Sequence, residues 1–186
     1  VVNALRLSCD VYFYQAGLEI DMERINEFGR RFGLGEEVLG IDIPGERRGW
    51  LPDSASFNKR NKRSGWRWAR GLILNLSIGQ GQLVTPLQQA VLVGSLATNA
   101  GVYKPHLMKE LRDRSGKVIK KFEPEIIRSG QMKESTHKVI LAGLDSVVNH
   151  PGGTGKRGAV KGIRVGGKTG SGEWKKGEKS YEKVEM

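Results

Sequence analysis

The chain has 186 residues, 38% hydrophobic and 27% charged, with 31 Lys+Arg against 20 Asp+Glu for a net charge of +11. That length and composition suit one domain with a core and exclude a low-complexity or wholly disordered chain. No apolar run approaches the ~18 residues of a membrane span. The one cysteine, Cys9, excludes an internal disulfide framework and a Cys-rich zinc site.

Val1 opens inside an apolar-periodic stretch (Val2, Leu5, Leu7), and Met186 closes a charged run from Lys175 to Glu185, so the chain is expected to be a piece of a longer protein. From Asp10 to Phe32 the spacing predicts a helix with Asp10 as N-cap. Val11, Tyr14 and Leu18 form one face, Ile25, Phe28 and Phe32 another, and Gly33-Leu34-Gly35 is the stop. Gly40 to Pro52 reads as extended, Asp53 to Gly65 as a polar, basic loop, and Leu72 to Ile78 as an apolar segment broken by Gly79-Gln80-Gly81. Thr85-Pro86 starts a helix, with Pro at its first position, that runs to Asn99. Tyr103 to Arg112 and Val118 to Phe122 flank Asp113-Arg114-Ser115-Gly116, a hairpin signal. Ser135, as N-cap, opens a helix to Asn149 with a stripe of Ile140, Leu141, Leu144, Val147 and Val148. A Gly-rich loop from Pro151 to Gly162 follows, then a predicted strand from Ile163 to Trp174. The class is mixed α and β.

The basic residues are spread along the chain, with local groups at Arg60, Lys62, Arg63, Arg67 and Arg70, at Lys156, Arg157 and Lys161, and at Lys175, Lys176 and Lys179. No zinc-finger, homeodomain or RNP-like pattern accompanies them, so a solvated basic face competes with a nucleic-acid surface. Gly162 to Thr169 formally satisfies the phosphate-loop pattern G-x-x-x-x-G-K-[ST]. That motif needs a helix next, and Gly170-Ser171-Gly172 is a poor start for one.

The same lysine, read as part of Lys168-Thr169-Gly170-Ser171 on an edge strand, suits a peptide carboxylate. The ammonium and hydroxyls meet the anion, and the small residues admit a substrate backbone. At the other end of the chain, Ser8-Cys9-Asp10 puts a hydroxyl and a carboxylate at a helix entrance, where simple N-capping is the plain alternative. Cys9 reads as a small buried hydrophobe. His106, His137 and His150 lack ligand spacing, so no metal is expected. Trp50, Trp66, Trp68 and Trp174 read as core or rim packing.

Taken in order, Ser8-Cys9-Asp10 with Val11-Tyr12-Phe13-Tyr14, Phe32-Gly33-Leu34-Gly35, Ser77-Ile78-Gly79-Gln80-Gly81, Thr85-Pro86-Leu87-Gln88, Gly153-Thr154-Gly155 and Gly167-Lys168-Thr169-Gly170 form a series. The series resembles the transpeptidase domain of class B penicillin-binding proteins, most closely the elongation-type members, over essentially the whole chain. The resemblance implies an α+β fold like that of serine β-lactamases, an antiparallel sheet with flanking helices, here incomplete at both ends. Residues 1–186 would be a partial transpeptidase domain.

The implied activity is peptidoglycan D,D-transpeptidation through a serine acyl-enzyme, without cofactor or metal. Of the family's three motifs, S-x-x-K, S-x-N and K-[ST]-G, Ser8-Cys9-Asp10 takes the second place and Lys168-Thr169-Gly170 the third. Ser8 would relay a proton between the nucleophile's lysine and the leaving amine, and Asp10 would anchor that lysine or the substrate amide. Asp10 departs from the family's general Asn, and an ionised carboxylate only accepts hydrogen bonds. Lys168 and Thr169 would bind the terminal carboxylate of D-Ala-D-Ala. Gly170 would keep that strand open, and Ser171 would add a hydroxyl and a backbone N–H for the oxyanion hole.

The implied partners are the stem peptide, β-lactams, and the glycan polymerase and scaffold of the elongation machinery, with no nucleic acid. The parent would be anchored in the cytoplasmic membrane by an absent N-terminal span, with this domain outside it. The nucleophile is not in this chain. The S-x-x-K matches Ser56/Lys59, Ser135/Lys138 and Ser180/Lys183 all follow Ser8, the wrong order, in an N-cap or charged loops. The alternative is a non-catalytic basic module that binds nucleic acid or an anionic cell-wall polymer.

Overall fold

The structure, a computed structural model, describes residues 1–176 and 180–185, with side chains described through residue 171. In chain order the elements are α1 (Val2–Arg6), α2 (Asp10–Ile20), α3 (Met22–Arg31), α4 (Ser54–Arg60), α5 (Leu72–Ser77), α6 (Pro86–Thr98), β1 (Val102–Tyr103), β2 (Glu110–Arg112), β3 (Val118–Lys121), β4 (Ile126–Arg128), α7 (Glu134–Asn149), a 3-10 turn (Lys156–Gly158), β5 (Ser171–Lys176) and β6 (Ser180–Glu185). They form two compact units, Val1–Tyr12 with Lys133–Met186, and Phe13–Met132. Among the described residues the expected antiparallel sheet is present as three two-stranded antiparallel pairs, β1–β4, β2–β3 and β5–β6. No described helix is long and apolar enough to cross a membrane.

In the first unit α1 packs on α7, burying Ala4, Val147 and Val148. Gly143 eases the approach, because a Cβ there would crowd Leu5, pressing on its Cδ1 and lying 3.2 Å from its Cβ. Side chains and turns from the C-terminal half of α7 then fix the chain that follows it. Asn149 donates to the Val165 carbonyl at 2.8 Å, the Gly167 N–H donates to Leu144 O at 3.1 Å, and Asp145 pairs with Arg164 at 2.6 Å.

In the second unit Met22 of α3 packs with Ile73 and Leu76 of α5 beneath Trp68, which meets Phe57 edge-on at 5.6 Å. Leu39 and Leu51 are buried, and polar pegs hold their loops. Glu46 accepts from the backbone N–H groups of Leu39, Gly40 and Ile41, and buried Asn26 donates to Pro52 O at 2.7 Å.

Several sequence expectations need correction. The Asp10–Phe32 helix is two helices, because Asp21 adopts φ 70° and caps α3 by accepting from Arg24 N at 3.1 Å. The two apolar faces of the sequence therefore belong to two helices. Asp10 is not the N-cap but the first residue of α2, where a carboxylate favours the helix dipole. The Asp53–Gly65 loop contains α4, started by a reciprocal capping box between Asp53 and Ser56. Ser135 sits inside the first turn of α7, whose N-cap is Lys133. The predicted strand Ile163–Trp174 begins only at Ser171; residues 164–170 are irregular, their backbone turned to serve α7. The Trp174 side chain and the basic group at Lys175, Lys176 and Lys179 lie outside the described side chains.

Gly40–Pro52 forms no strand beyond an isolated bridge at Trp50, and the Tyr103–Arg112 strand is broken, with Tyr103 in β1 against β4 and the hairpin strand β2 starting only at Glu110; helix α6 and the hairpin turn match. Thr85 caps α6 with Gln88 in a capping box, Pro86 leads the helix, and Asn99 ends it in the left-handed region at φ 52°. The β2–β3 pair closes around Asp113, whose carboxylate accepts from Ser115 N at 2.8 Å and Lys117 N at 3.0 Å.

Candidate active site

The site assembles in the first unit. Helix α1 ends at Arg6 with Leu7 as its C-cap, and the next residue, Ser8, turns into the left-handed region at φ 49° before α2 begins. The elbow is held by the Ser8 N–H to Leu5 O at 3.2 Å and the Cys9 N–H to Ala4 O at 2.9 Å. A non-glycine residue in that conformation costs on the order of 1–3 kcal/mol, and such strain collects at functional positions. The elbow turns the Ser8 hydroxyl toward Lys168 rather than onto the N-terminus of α2. Lys168 Nζ donates to Ser8 Oγ at 2.6 Å and to its neighbour's carbonyl, Thr169 O, at 2.9 Å.

The contact continues as a row of hydroxyls. Ser8 Oγ lies 3.3 Å from Thr169 Oγ1, and Thr169 Oγ1 lies 3.1 Å from Thr154 Oγ1. Thr154 Oγ1 donates to Arg6 O at 3.2 Å. The chain thus brings together Ser8, Lys168 and Thr169, separated by up to 161 residues in sequence. Asp10 adds charge, since its carboxylate raises the pKa of Lys168. That effect is the smaller one. Loss of water around the ammonium comes first and pulls the Lys168 pKa below its ordinary value, although the residue as a whole is exposed. Beyond Lys168 and Thr169, Gly170 has open space where a Cβ would be, and Ser171 is exposed at the start of β5.

Lys168 stands in the irregular lead into β5, not on a strand edge as the sequence suggests, because the preceding backbone is drawn onto α7. A strand rather than a helix follows Thr169, which removes the context a phosphate loop requires. An ammonium beside two hydroxyls is an anion-binding arrangement. Cys9 is exposed and free rather than buried, and among the described residues no group of three or more His, Cys, Asp or Glu could hold a metal ion.

The S-x-x-K matches are engaged elsewhere. Ser56 Oγ accepts from Asp53 N at 3.1 Å in the α4 cap, and Lys138 pairs with Glu134 along α7. Ser180/Lys183 lies outside the described side chains. Sequence reasoning missed the part of Thr154, whose signal was the flanking glycines of Gly153-Thr154-Gly155.

Residues 1–185 match the family model of the penicillin binding protein transpeptidase domain. The peptidoglycan D,D-transpeptidase MrdA of Haemophilus influenzae is 32% identical over 173 residues, 91% of this chain and 26% of that protein. The stage V sporulation protein D of Bacillus subtilis is 31% identical over 91% of this chain and 24% of its own length. Among solved structures, the penicillin-binding protein PBP2 of Helicobacter pylori, in complex with MreC, superposes with a TM-score of 0.71. It is 31% identical, and the match covers 91% of this chain and 29% of that one. The chain therefore spans about a quarter of the length of these curated relatives.

Proposed function

The chain belongs to the penicillin-binding protein transpeptidase family, and from that premise we propose that it is part of a longer peptidoglycan D,D-transpeptidase of the elongation type. One observation carries the reading: Ser8 and the Lys168-Thr169 pair, drawn from opposite ends of the chain, meet within hydrogen-bond distance. In this reading Lys168 and Thr169 receive the terminal carboxylate of a stem peptide ending in D-Ala-D-Ala. Gly170 leaves room for the peptide backbone, and Ser171 contributes its hydroxyl and its backbone N–H to the developing oxyanion.

Ser8 accepts from one ammonium, Lys168 Nζ, and has a second lone pair and one proton to exchange. That suits passing a proton between the nucleophile's lysine and the leaving amine. Asp10 stabilises the positive charge of the site. The nucleophilic serine is supplied by an S-x-x-K motif that precedes Ser8 in the parent. The parent is held at the cytoplasmic membrane with this domain on its outer side. It works with a scaffold like the MreC bound by the Helicobacter pylori relative, and with a glycan polymerase.

The test is acylation of the full-length parent by a fluorescent penicillin, followed by intact mass. A stoichiometric, hydroxylamine-labile adduct is expected on the parent, and none on the 186-residue chain alone. A parent that takes no label, yet binds DNA or a wall polyanion in a salt-sensitive way, overturns the reading in favour of a basic binding module.

A further inference from the structure

The segment Gly153-Thr154-Gly155 lies outside the Ser8–Lys168–Thr169 constellation, and the backbone holds it with unusual firmness. The N–H groups of Gly153, Thr154 and Gly155 donate to His150 O at 2.8 Å, Arg6 O at 3.3 Å and Val147 O at 2.8 Å. Neither glycine can carry a side chain without moving the segment. A Cβ on Gly153 would sit 2.3 Å from Val147 O and 2.6 Å from Ser146 O, and one on Gly155 would sit 2.9 Å from Val147 Cγ1. The loop is pressed onto the C-terminal turn of α7 so that the one side chain it carries, Thr154, stands between Arg6 O and Thr169 Oγ1.

A hydroxyl has one proton, and a carbonyl oxygen only accepts. With Thr154 donating to Arg6 O, its oxygen can only accept from Thr169. Thr169 has then spent its proton, so the contact with Ser8 requires Ser8 to be the donor. Ser8 in turn presents lone pairs to Lys168 Nζ, which is itself a donor. The row runs one way, Lys168 to Ser8 to Thr169 to Thr154 to the Arg6 carbonyl.

We infer that Thr154 is a positioning residue that fixes the direction of this hydroxyl row and thereby keeps Ser8 ready to accept a proton on its Lys168 side. The consequence for catalysis rests on the transpeptidase reading; the direction of the row does not. Without the Thr154 hydroxyl, Thr169 is free to donate to Ser8, and Ser8 to donate to an uncharged Lys168 amine. The uncharged amine thus gains a donor, while the ammonium keeps its acceptor on the second lone pair of Ser8, so the balance moves toward the uncharged form. The carboxylate facing the ammonium, Asp10, remains.

The experiment compares Thr154→Val, which keeps the shape and removes the hydroxyl, with Thr154→Ser, which keeps the hydroxyl. Thr154 is exposed, so both substitutions are accommodated without touching the core. In the full-length parent, Thr154→Val slows penicillin acylation about 2- to 10-fold, the worth of one net hydrogen bond, and Thr154→Ser restores the wild-type rate. In the 186-residue chain, a nitrogen-detected NMR titration of Lys168 Nζ moves to lower pH in Thr154→Val and not in Thr154→Ser.

Equal rates and titrations in all three proteins overturn the inference, as does a serine variant that falls as far as the valine one. If Thr154→Val and a second hydroxyl-free variant, Thr154→Ala, both fail to fold, the role is structural and the inference is lost. A wild-type parent that takes no penicillin refutes the transpeptidase reading instead, and the Lys168 titration alone then decides the direction of the row.

Discussion

In the proposed reading, Lys168 is the side chain on which the site turns. Burial around its ammonium lowers its pKa, Asp10 opposes that, and Ser8 Oγ receives one of its protons at 2.6 Å. A carboxylate arriving there meets a cation that has already given up part of its water, which makes the contact stronger than a surface ion pair. Lys168→Ala in the full-length parent is expected to slow penicillin acylation about 30- to 1,000-fold, the range for loss of one charged transition-state contact. Its urea midpoint should stay near wild type, because the lysine contributes little to the core. Unchanged acylation refutes the assignment, and a loss of ATP or GTP binding would revive the phosphate-loop alternative. Ser8 and Lys168 were both legible as motif residues. Their contact was not, since nothing in local pattern says which residues 160 positions apart will touch.

Among the elements, α6 shows how one residue joins a helix start to distant loops. Gln88 is fully buried, and its Oε1 accepts from Thr85 N at 3.2 Å in the capping box. Its Nε2 donates to Gly35 O at 2.8 Å and to Glu37 O at 3.3 Å. Gln88→Leu strips this partner from all three; Gly35 O keeps the Gly49 N–H at 2.7 Å, while Thr85 N and Glu37 O lose it in a partly buried setting, and each group left unpaired costs about 1–3 kcal/mol. A loss of about 2–4 kcal/mol is expected in urea denaturation; a loss below about 1 kcal/mol would show that water replaces the amide. The helix itself was legible because Thr85-Pro86 and Asn99 carry start and stop chemistry in their own side chains. The break between α2 and α3 was not, because Asp21 makes it by a positive φ that apolar periodicity does not record.

At the scale of the whole molecule, four aspartates hold their carboxyls below the ordinary value of 3.8. For Asp42 the main cause is donation from Met108 N and then Leu107 N, and for Asp53 donation from Ser56 N. For Asp113 it is the Ser115 hydroxyl, and for Asp145 the Arg164 guanidinium. A carboxyl whose folded pKa is depressed adds stability above the unfolded value and loses it as pH falls through the folded one. These four contributions are therefore complete above 3.8 and vanish progressively below it. Urea midpoints measured between pH 7 and pH 2 should owe no loss to these groups until about pH 4 and then fall. Asp42→Asn should flatten part of that fall; an identical acid profile would show that the Leu107 and Met108 contacts carry no linkage.

The sequence by itself determined the α+β class, the family and helix α6, along with the β2–β3 hairpin and the residue types of the site. Each of these is written in ordered motifs, caps or short-range periodicity. Tertiary structure alone decided that α7 would draw residues 164–167 away from strand geometry, through Asn149, Asp145 and Leu144. It also decided that the α1–α2 elbow would aim Ser8 at Lys168, and that Gly153 and Gly155 would press Thr154 between Arg6 and Thr169. The reason is one of range. Caps and periods act within a turn or two of the chain, whereas the hydroxyl row joins residues 15 to 161 apart, and its contacts to Ser8 and Arg6 exist only once α1 has packed on α7.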